Sequence, residues 1–286
     1  MRLNCPKLAM KSDSPLPTSV DQITADGFAL SWNNKPPVYS MEQFTDWLEP
    51  LDGEDFENKS VLELGCGNGS LLFHLINWAP SQIIGVDLGD GIIQARKNLS
   101  VFPTIQILRG DLVTFTSKRF DAVLCIGVLH HLENPKHGLD SVVRNTTPGG
   151  RFHCWVYGYE GNQLARLFVE PLRKVCRYLP WRVTDFIAVA AVAPYWMYAK
   201  LLAKFKRLTW LRKLPMYQYS IWISKENFAF FRHMAFDQLI AYRTTYIRRS
   251  TIEAWLASYE TIVKDTIYVI QRNGNSWKFG AKTKMI

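Results

Sequence analysis

Val61-Leu62-Glu63-Leu64-Gly65-Cys66-Gly67-Asn68-Gly69-Ser70 runs directly into Leu71-Leu72-Phe73-His74-Leu75-Ile76. An apolar run closes on a turn with alternate glycines, and a helical pattern follows. This is a buried parallel strand entering a helix through a tight loop, the unit that holds a nucleoside-bearing ligand at a sheet's carboxyl edge. Gly65 and Gly67 permit positive φ and let a ligand approach bare backbone. The spacing is G-x-G-x-G, whereas the dinucleotide fingerprint G-x-G-x-x-G would need its third glycine at Ser70. Glu63 stands two residues before the first glycine, where a carboxylate suits an ammonium and repels a pyrophosphate. The loop therefore favours a cationic amino-acid nucleoside over NAD, and a nicotinamide-dependent oxidoreductase is disfavoured.

Further strands follow in order. Gln82 to Asp87 is a second strand ending in an acid, and Asp87 has the acceptor capacity to take both hydroxyls of a ribose. Asp90 to Asn98 reads as a helix with Asp90 at its N-cap. Ile105 to Arg109 is a third strand, and Gly110-Asp111 puts another carboxylate at the same edge. Asp111 is suited to accept from an adenine amino group, with Leu88 and Leu112 packing on the base. Capping the next helix is the alternative role for either acid. Phe120 to Cys125 is a fourth strand, and Gly149-Gly150 introduces a fifth from Arg151 to Tyr157. Near the C-terminus, Ser250 to Ser258 reads as a helix. Ile262 to Ile270 and Ser276 to Thr283 read as strands joined at Asn273-Gly274. Strands joined so closely run antiparallel.

Residues 60–157 resemble a class I S-adenosylmethionine-dependent methyltransferase. The glycine loop, the acid at Asp87, the Gly110-Asp111 pair and the segment from Phe120 to Pro135 match that family's motifs in order, and Thr147-Pro148-Gly149-Gly150 resembles its turn before strand five. The resemblance implies a Rossmann-like, doubly wound α/β fold with a seven-stranded sheet whose last strand is antiparallel. It implies S-adenosylmethionine as cofactor, held by Glu63, Gly65, Cys66, Gly67, Asp87, Leu88, Asp111, Leu112 and Ile126.

The chain has 286 residues, nearly half of them hydrophobic, enough for a large core. Its five cysteines (5, 66, 125, 154 and 176) form no C-x-x-C pair, so reduced thiols in a cytoplasmic protein are expected, with no zinc site or disulfide framework. Residues 1–10 show no apolar signal-peptide core, and 1–20 are expected to form a flexible tail. The methyltransferase domain is assigned to 21–159 and 250–286.

Residues 160–250 hold 16 Lys or Arg against 5 Asp or Glu, while the rest of the chain is slightly acidic. This segment, rich in Trp and Tyr, is read as a mainly helical cap (160–249) inserted over the transfer site. Its aromatics serve as a core of its own, as a surface for anionic membrane or lipid-linked substrate, or as a nucleic-acid surface, which ranks last. The uncharged run from Phe186 to Ala199 is 14 residues long, shorter than a bilayer requires, and Pro194 is expected to interrupt it. The Asn34-Lys35-Pro36-Pro37 run precedes strand one and is read as a turn.

A sulfonium cofactor supplies an electrophilic methyl, so the protein must align an acceptor and shield it from water. His131 and His130 follow strand four, where the acceptor should sit; His131 is the better candidate base, and shaping of the local helix start is the alternative. Tyr157, Tyr159 and Glu160 leave strand five toward the cap, to orient a nucleophile or to anchor the lid. Phe28, Trp32, Tyr39, Phe44 and Trp47 make an aromatic approach to strand one, with a lid helix over Met41 to Leu48. The expected acceptor is a small or lipid-like molecule, anionic ones included. Peripheral contact with anionic membrane is a further expectation, and nucleic acid ranks last among the partners. A cofactor-binding partner protein without catalysis is the alternative.

Overall fold

The computed structural model describes residues 20–32, 40–214 and 216–285. Seven strands form one sheet: β1 Ser60–Leu64, β2 Gln82–Asp87, β3 Ile105–Arg109, β4 Phe120–Ile126, β5 Thr146–Tyr157, β6 Tyr268–Arg272 and β7 Ser276–Lys282. Their spatial order is β3-β2-β1-β4-β5-β7-β6. The first five run parallel, and β7 is antiparallel to both β5 and β6. This is the expected doubly wound sheet with its antiparallel last strand.

Both faces of the sheet are covered, which explains why the strands read as continuous apolar runs. Leu62, Leu64, Ile84, Val86, Val123 and Cys125 pack on one side with α5 (Pro135–Arg144) and α10 (Arg249–Ser258). Val61, Ile83, Ala122 and Leu124 pack on the other, with α2 (Met41–Leu48), α3 (Ser70–Leu75) and α4 (Gly91–Asn98). Successive side chains of a strand alternate faces, so each strand feeds both cores. Gly85 lies inside β2, where a Cβ would approach Leu72, Ile107 and Cys66 to within 2.7–2.9 Å. Its bareness lets the glycine-loop helix settle on the sheet.

The ends of several elements differ from the sequence reading. Asp90 occupies the N-cap position of α4 but makes no side-chain cap bond; it pairs instead with Arg109 at 2.5 Å. The strand expected from Ile262 begins only at Tyr268, because Lys264–Thr266 form a 3-10 turn and Ile262 makes a lone bridge to Thr283. The Thr147–Gly150 turn lies within β5, whose pairing with β4 jumps from Phe120–Thr146 to Ala122–Arg151.

Between β5 and α10 the chain forms helices: a π-turn at Ala165–Val169, α6 Glu170–Cys176, α7 Trp181–Lys204, a 3-10 turn at Thr209–Lys213, α8 Tyr217–Ile223 and α9 Phe228–Ile240. Pro194 does not interrupt α7. Proline removes one backbone donor, and the helix is otherwise held by packing against α8 and α9. At the N-terminal side, α1 (Val20–Trp32) crosses the sheet edge next to α4 and α9. The tail assigned to 1–20 falls almost wholly outside the described residues, as do Tyr39 and the Asn34–Pro37 run.

The C-terminal hairpin fastens α2 against the sheet. Lys278, 2% exposed, donates to the Asp46 carbonyl and the Glu49 carboxylate, and Arg272 pairs with Asp46. His153 bridges the Tyr268 hydroxyl and the Trp47 carbonyl. These contacts fix Trp47 beside β5, where its ring meets Trp155.

Burial holds three imidazoles neutral: His131 and His153 are pushed down to about 4, and His130 well below its ordinary 6.5. The unfolded chain takes up protons below pH 6.5 that the folded chain refuses. The histidines' contribution to stability is therefore full above that pH and is lost as pH falls toward 4, by about 1.4 kcal/mol per pH unit for each histidine. Urea melts across this window should show the midpoint falling with acid. His153→Gln should flatten part of the slope, and an unchanged slope would remove that residue from the explanation.

Candidate active site

The carboxyl ends of β1, β2, β3 and β4 open into a cleft roofed by α1 and α9. The glycine loop makes its floor. Gly65, Gly67 and Gly69 all have positive φ, and a Cβ at Gly67 would meet nothing within 4 Å. At Gly65 a Cβ would strike Val128 at 2.3 Å, so this turn requires glycine on two grounds.

Asp87 ends β2 and braces that loop. Its carboxylate accepts from the Gly67 N–H at 2.9 Å and from the Gly89 N–H at 2.8 Å. Burial raises its pKa, against the lowering effect of these bonds. Each oxygen keeps a lone pair for a further donor. Asp111 accepts from the Val113 N–H at 2.8 Å within the turn that joins β3 to β4, where no helix follows for it to cap, and it faces the cleft. Glu63 is 3% exposed, and its Oε2 is buried with no hydrogen-bond partner. Burial, with the neighbouring Asp87, pushes its carboxyl up to about 8.

All nine residues expected at the cofactor line this one cleft: Glu63, Gly65, Cys66, Gly67, Asp87, Leu88, Asp111, Leu112 and Ile126. Among the described residues lining it are five carboxylates (Asp21, Glu63, Asp87, Asp111 and Asp237) and no lysine or arginine. Such a wall suits a cationic ligand and would repel a pyrophosphate. The orphaned Glu63 oxygen and the open backbone at Gly67 fit the ammonium and the body of an S-adenosyl amino acid.

The far half of the cleft is aromatic. Phe28 from α1, Trp47 from α2, and Trp155 and Tyr157 from β5 line it together with His131, Met234, Asp237 and Gln238. His131 Nδ1 lies 2.7 Å from the Arg243 carbonyl oxygen. A carbonyl only accepts, so Nδ1 carries the proton and Nε2 keeps its lone pair. With its pKa near 4, the imidazole is neutral at physiological pH. Tyr157 accepts from the Gln238 amide at 2.5 Å, which leaves its own proton free to donate. Burial raises its pKa, so it stays a phenol. Gln238 is itself fixed by Arg173, 2% exposed, which donates to its side-chain oxygen and its backbone carbonyl.

The other catalytic candidate is placed elsewhere. His130 is fully buried behind the wall, between His131, Trp155 and Tyr157, and neither ring nitrogen has a partner. Its geometry is that of a packing residue. Tyr159 and Glu160 also lie off the cleft. Tyr159 is flanked by the Arg166 and Arg248 guanidinium groups, and Glu160 accepts from Trp277. Both make these contacts where the chain leaves β5 for the helical segment.

Among the cleft residues left unmarked by the sequence are four polar or polarisable ones: Asp21, Met234, Asp237 and Gln238. They reach the site from α1 and α9, which meet through the Ser31 hydroxyl donating to Asp237 at 2.5 Å, 206 positions apart. No local pattern carries a signal over that separation.

Comparison with known proteins agrees with this geometry. Residues 62–154 match the family model described as a methyltransferase domain. The chain carries a class I S-adenosylmethionine-dependent methyltransferase domain. Curated relatives include proteins named tRNA U34 carboxymethyltransferase. The Campylobacter curvus protein is 30% identical over 100 residues, 34% of this chain and 34% of its own length. The Pseudoalteromonas translucida protein is 26% identical over 185 residues, 59% of this chain and 54% of its own length. The chain thus spans about a third to a half of these relatives. Among solved structures, the N-methyltransferase NodS from Bradyrhizobium japonicum aligns at 14% identity with a TM-score of 0.47, over 85% of this chain and 95% of that one.

These relatives overturn one expectation. The sequence ranks nucleic acid last among the partners: the segment after β4 reads Cys125-Ile126-Gly127-Val128, without the Asn-Pro-Pro-Tyr type motif of enzymes that methylate base amino groups. The absence of that motif leaves other positions on a base open. Several relatives of this methyltransferase domain are named for tRNA.

Proposed function

We propose that this chain transfers the methyl group of S-adenosylmethionine to a base of an RNA. The observation that carries the reading is the division of one cleft into an acidic, glycine-floored half and an aromatic half. Phe28, Trp47, Trp155 and Tyr157 suit a flat ring, which stacks on aromatic side chains. The names of the tRNA-acting relatives support the acceptor, and one match covers 59% of this chain, well beyond the residues of the domain model.

Those relatives are named for carboxymethyl transfer. A carboxymethyl group carries a negative charge that a cation would have to neutralise, and the described cleft wall offers neither lysine nor arginine. The transferred group is therefore read as methyl. Bound at the glycine loop, S-adenosylmethionine supplies an electrophilic carbon on a sulfonium. Glu63 would hold its ammonium and Asp87 its ribose, while Asp111, with Leu88 and Leu112, would hold the adenine. His131 acts as base on the acceptor through Nε2. Tyr157, whose ring lies edge-on to His131 with centroids 6.3 Å apart, donates to the acceptor beside it. His130 is left out of this assignment. Residues 160–249 act as the lid, with α9 closing the aromatic half and excluding water.

Protein incubated with methyl-labelled S-adenosylmethionine and total cellular RNA should place the label in RNA, in nuclease-sensitive form. Label recovered only in a small-molecule or lipid fraction of cell extract would replace the acceptor while keeping the cofactor. Absence of label from every fraction would favour a cofactor-binding partner protein.

Glu63 adds a prediction free of the acceptor. With its pKa near 8 the carboxyl is mostly protonated at neutral pH, and pairing with an ammonium requires the carboxylate. Cofactor binding should therefore release up to about one proton, and affinity should rise with pH from 6 toward 8. The sign for folding is opposite. The folded chain holds a proton that the unfolded chain drops above 4.5, so ligand-free stability declines over the same range. Calorimetric titration in two buffers of different ionisation enthalpy reads the released proton. Equal apparent enthalpies would mean that Glu63 does not meet the ammonium.

A further inference from the structure

We propose that the outer face of α7 is a docking surface for an anionic lipid bilayer, with the helix lying in the interfacial plane. This goes beyond the transfer reaction and does not depend on its acceptor. One side of α7 is spent on the cap's own core: Thr184, Ala188, Val192, Ala199 and Leu202 are buried against α6, α8 and α9. The opposite side recurs at three- and four-residue spacing and is as apolar, yet it faces outward. Val183 is 43% exposed, Phe186 71%, Met197 63% and Leu201 54%, with Ala190 and Pro194 exposed between them. The helix has a mean hydropathy of 1.5 in its best window, of which only 22% is buried. A continuous exposed apolar stripe of this length marks a surface that is covered in use.

Charge decides what covers it. Residues 204–213 contain five cations (Lys204, Lys206, Arg207, Arg212 and Lys213) and no acid. Exposed Phe205, Leu208 and Trp210 are interleaved with them. The single acid of α7, Asp185, is already engaged by Arg232. Apolar and aromatic side chains bordered by lysine and arginine fit the boundary between acyl chains and anionic headgroups. A second copy of this chain would bring the same cations against themselves. RNA would need donors along the stripe, and the stripe has none.

Length and composition alone would let α7 cross a bilayer. Its inner face argues for lying flat: Tyr195 bonds Ser220 at 2.8 Å, Lys200 donates to the Ser224 carbonyl at 2.6 Å, and Thr184 bonds the Cys176 carbonyl at 3.3 Å. Spanning would strip α7 from α9, which shapes the cleft. No residue of α7 lines the cleft, so bilayer contact leaves it open to ligands.

The full chain should be tested by vesicle flotation with phosphatidylcholine vesicles with and without phosphatidylglycerol. Binding is expected to the anionic vesicles, weakening with salt. The triple variant Phe186→Ser, Met197→Ser and Leu201→Ser should weaken it by about tenfold or more, since three apolar side chains leave the lipid. Thermal melting and S-adenosylmethionine binding report whether the variant remains folded. If it is not, Phe186→Ser alone replaces it, with a smaller loss expected. No flotation at low salt would overturn the proposal. So would flotation that a folded variant leaves intact, which would mean charge attraction without the stripe. A concentration-dependent dimer abolished by the variant would assign the face to a second copy. Loss of tRNA binding in the variant, without vesicle binding by the wild type, would assign it to nucleic acid.

Discussion

Asp87→Ala should cost about 10²–10⁴-fold in affinity for S-adenosylmethionine. Two hydrogen bonds from ribose hydroxyls to an ionised carboxylate contribute about 1.5–3 kcal/mol each, and about 1.4 kcal/mol is a tenfold change. The carboxylate also accepts from the Gly67 and Gly89 N–H groups, so its loss loosens the loop that carries the ligand. Asp87→Asn separates size from charge. The amide keeps one acceptor but turns a donor toward a backbone N–H, so it should be nearly as damaging. Calorimetric titration of both variants, with thermal melting to confirm folding, checks the claim. A folded variant that binds as tightly as the wild type would remove Asp87 from the site.

Replacing His131 should act on turnover and spare binding. Loss of a general base slows a reaction by about 10²–10⁴-fold. His131→Ala should fall in that range, with its affinity for S-adenosylmethionine changed only slightly. The ring is oriented by the Arg243 carbonyl at 2.7 Å, with Nε2 unprotonated, and its pKa of about 4 fixes the pH response. The base form is complete above about pH 5, so the wild-type rate should show no inflection near 6.5 from this group. Acid should reduce it only as pH falls toward 4. Single-turnover transfer to the labelled acceptor, followed across pH, reads both effects. A wild-type inflection near 6.5 that disappears in the variant would mean an exposed, ordinary histidine. A variant with full turnover would leave the base to another group.

The sheet and the acidic, glycine-floored half of the cleft were legible because their signals are local. Glu63, the glycine loop, Asp87 and Asp111 each follow a strand within a few residues, and the sheet's own register brings the strand ends together. Asp90 shows the limit of that reasoning: its position at the start of α4 was evident, but Arg109 on a neighbouring strand captured its carboxylate. The acceptor half could not be read in the same way. Its walls come from α1, α2, β5 and α9, and contacts such as Ser31 with Asp237 or Tyr157 with Gln238 join segments that share no pattern. His130 and His131 are adjacent and chemically identical in sequence; only the turn of the 3-10 segment decides which ring meets the cleft. The cap's aromatics were visible in composition. Their division between a packed inner side and a bare outer side became visible only once α7 proved continuous through Pro194.

The central claim is that this cleft holds S-adenosylmethionine. Calorimetric titration of the purified chain with S-adenosylmethionine and with S-adenosylhomocysteine tests it most directly. The predicted result is saturable one-to-one binding of both, with matching shifts in melting temperature and weaker binding in Asp87→Ala. A folded protein that gives neither heat nor thermal shift with either ligand would contradict it.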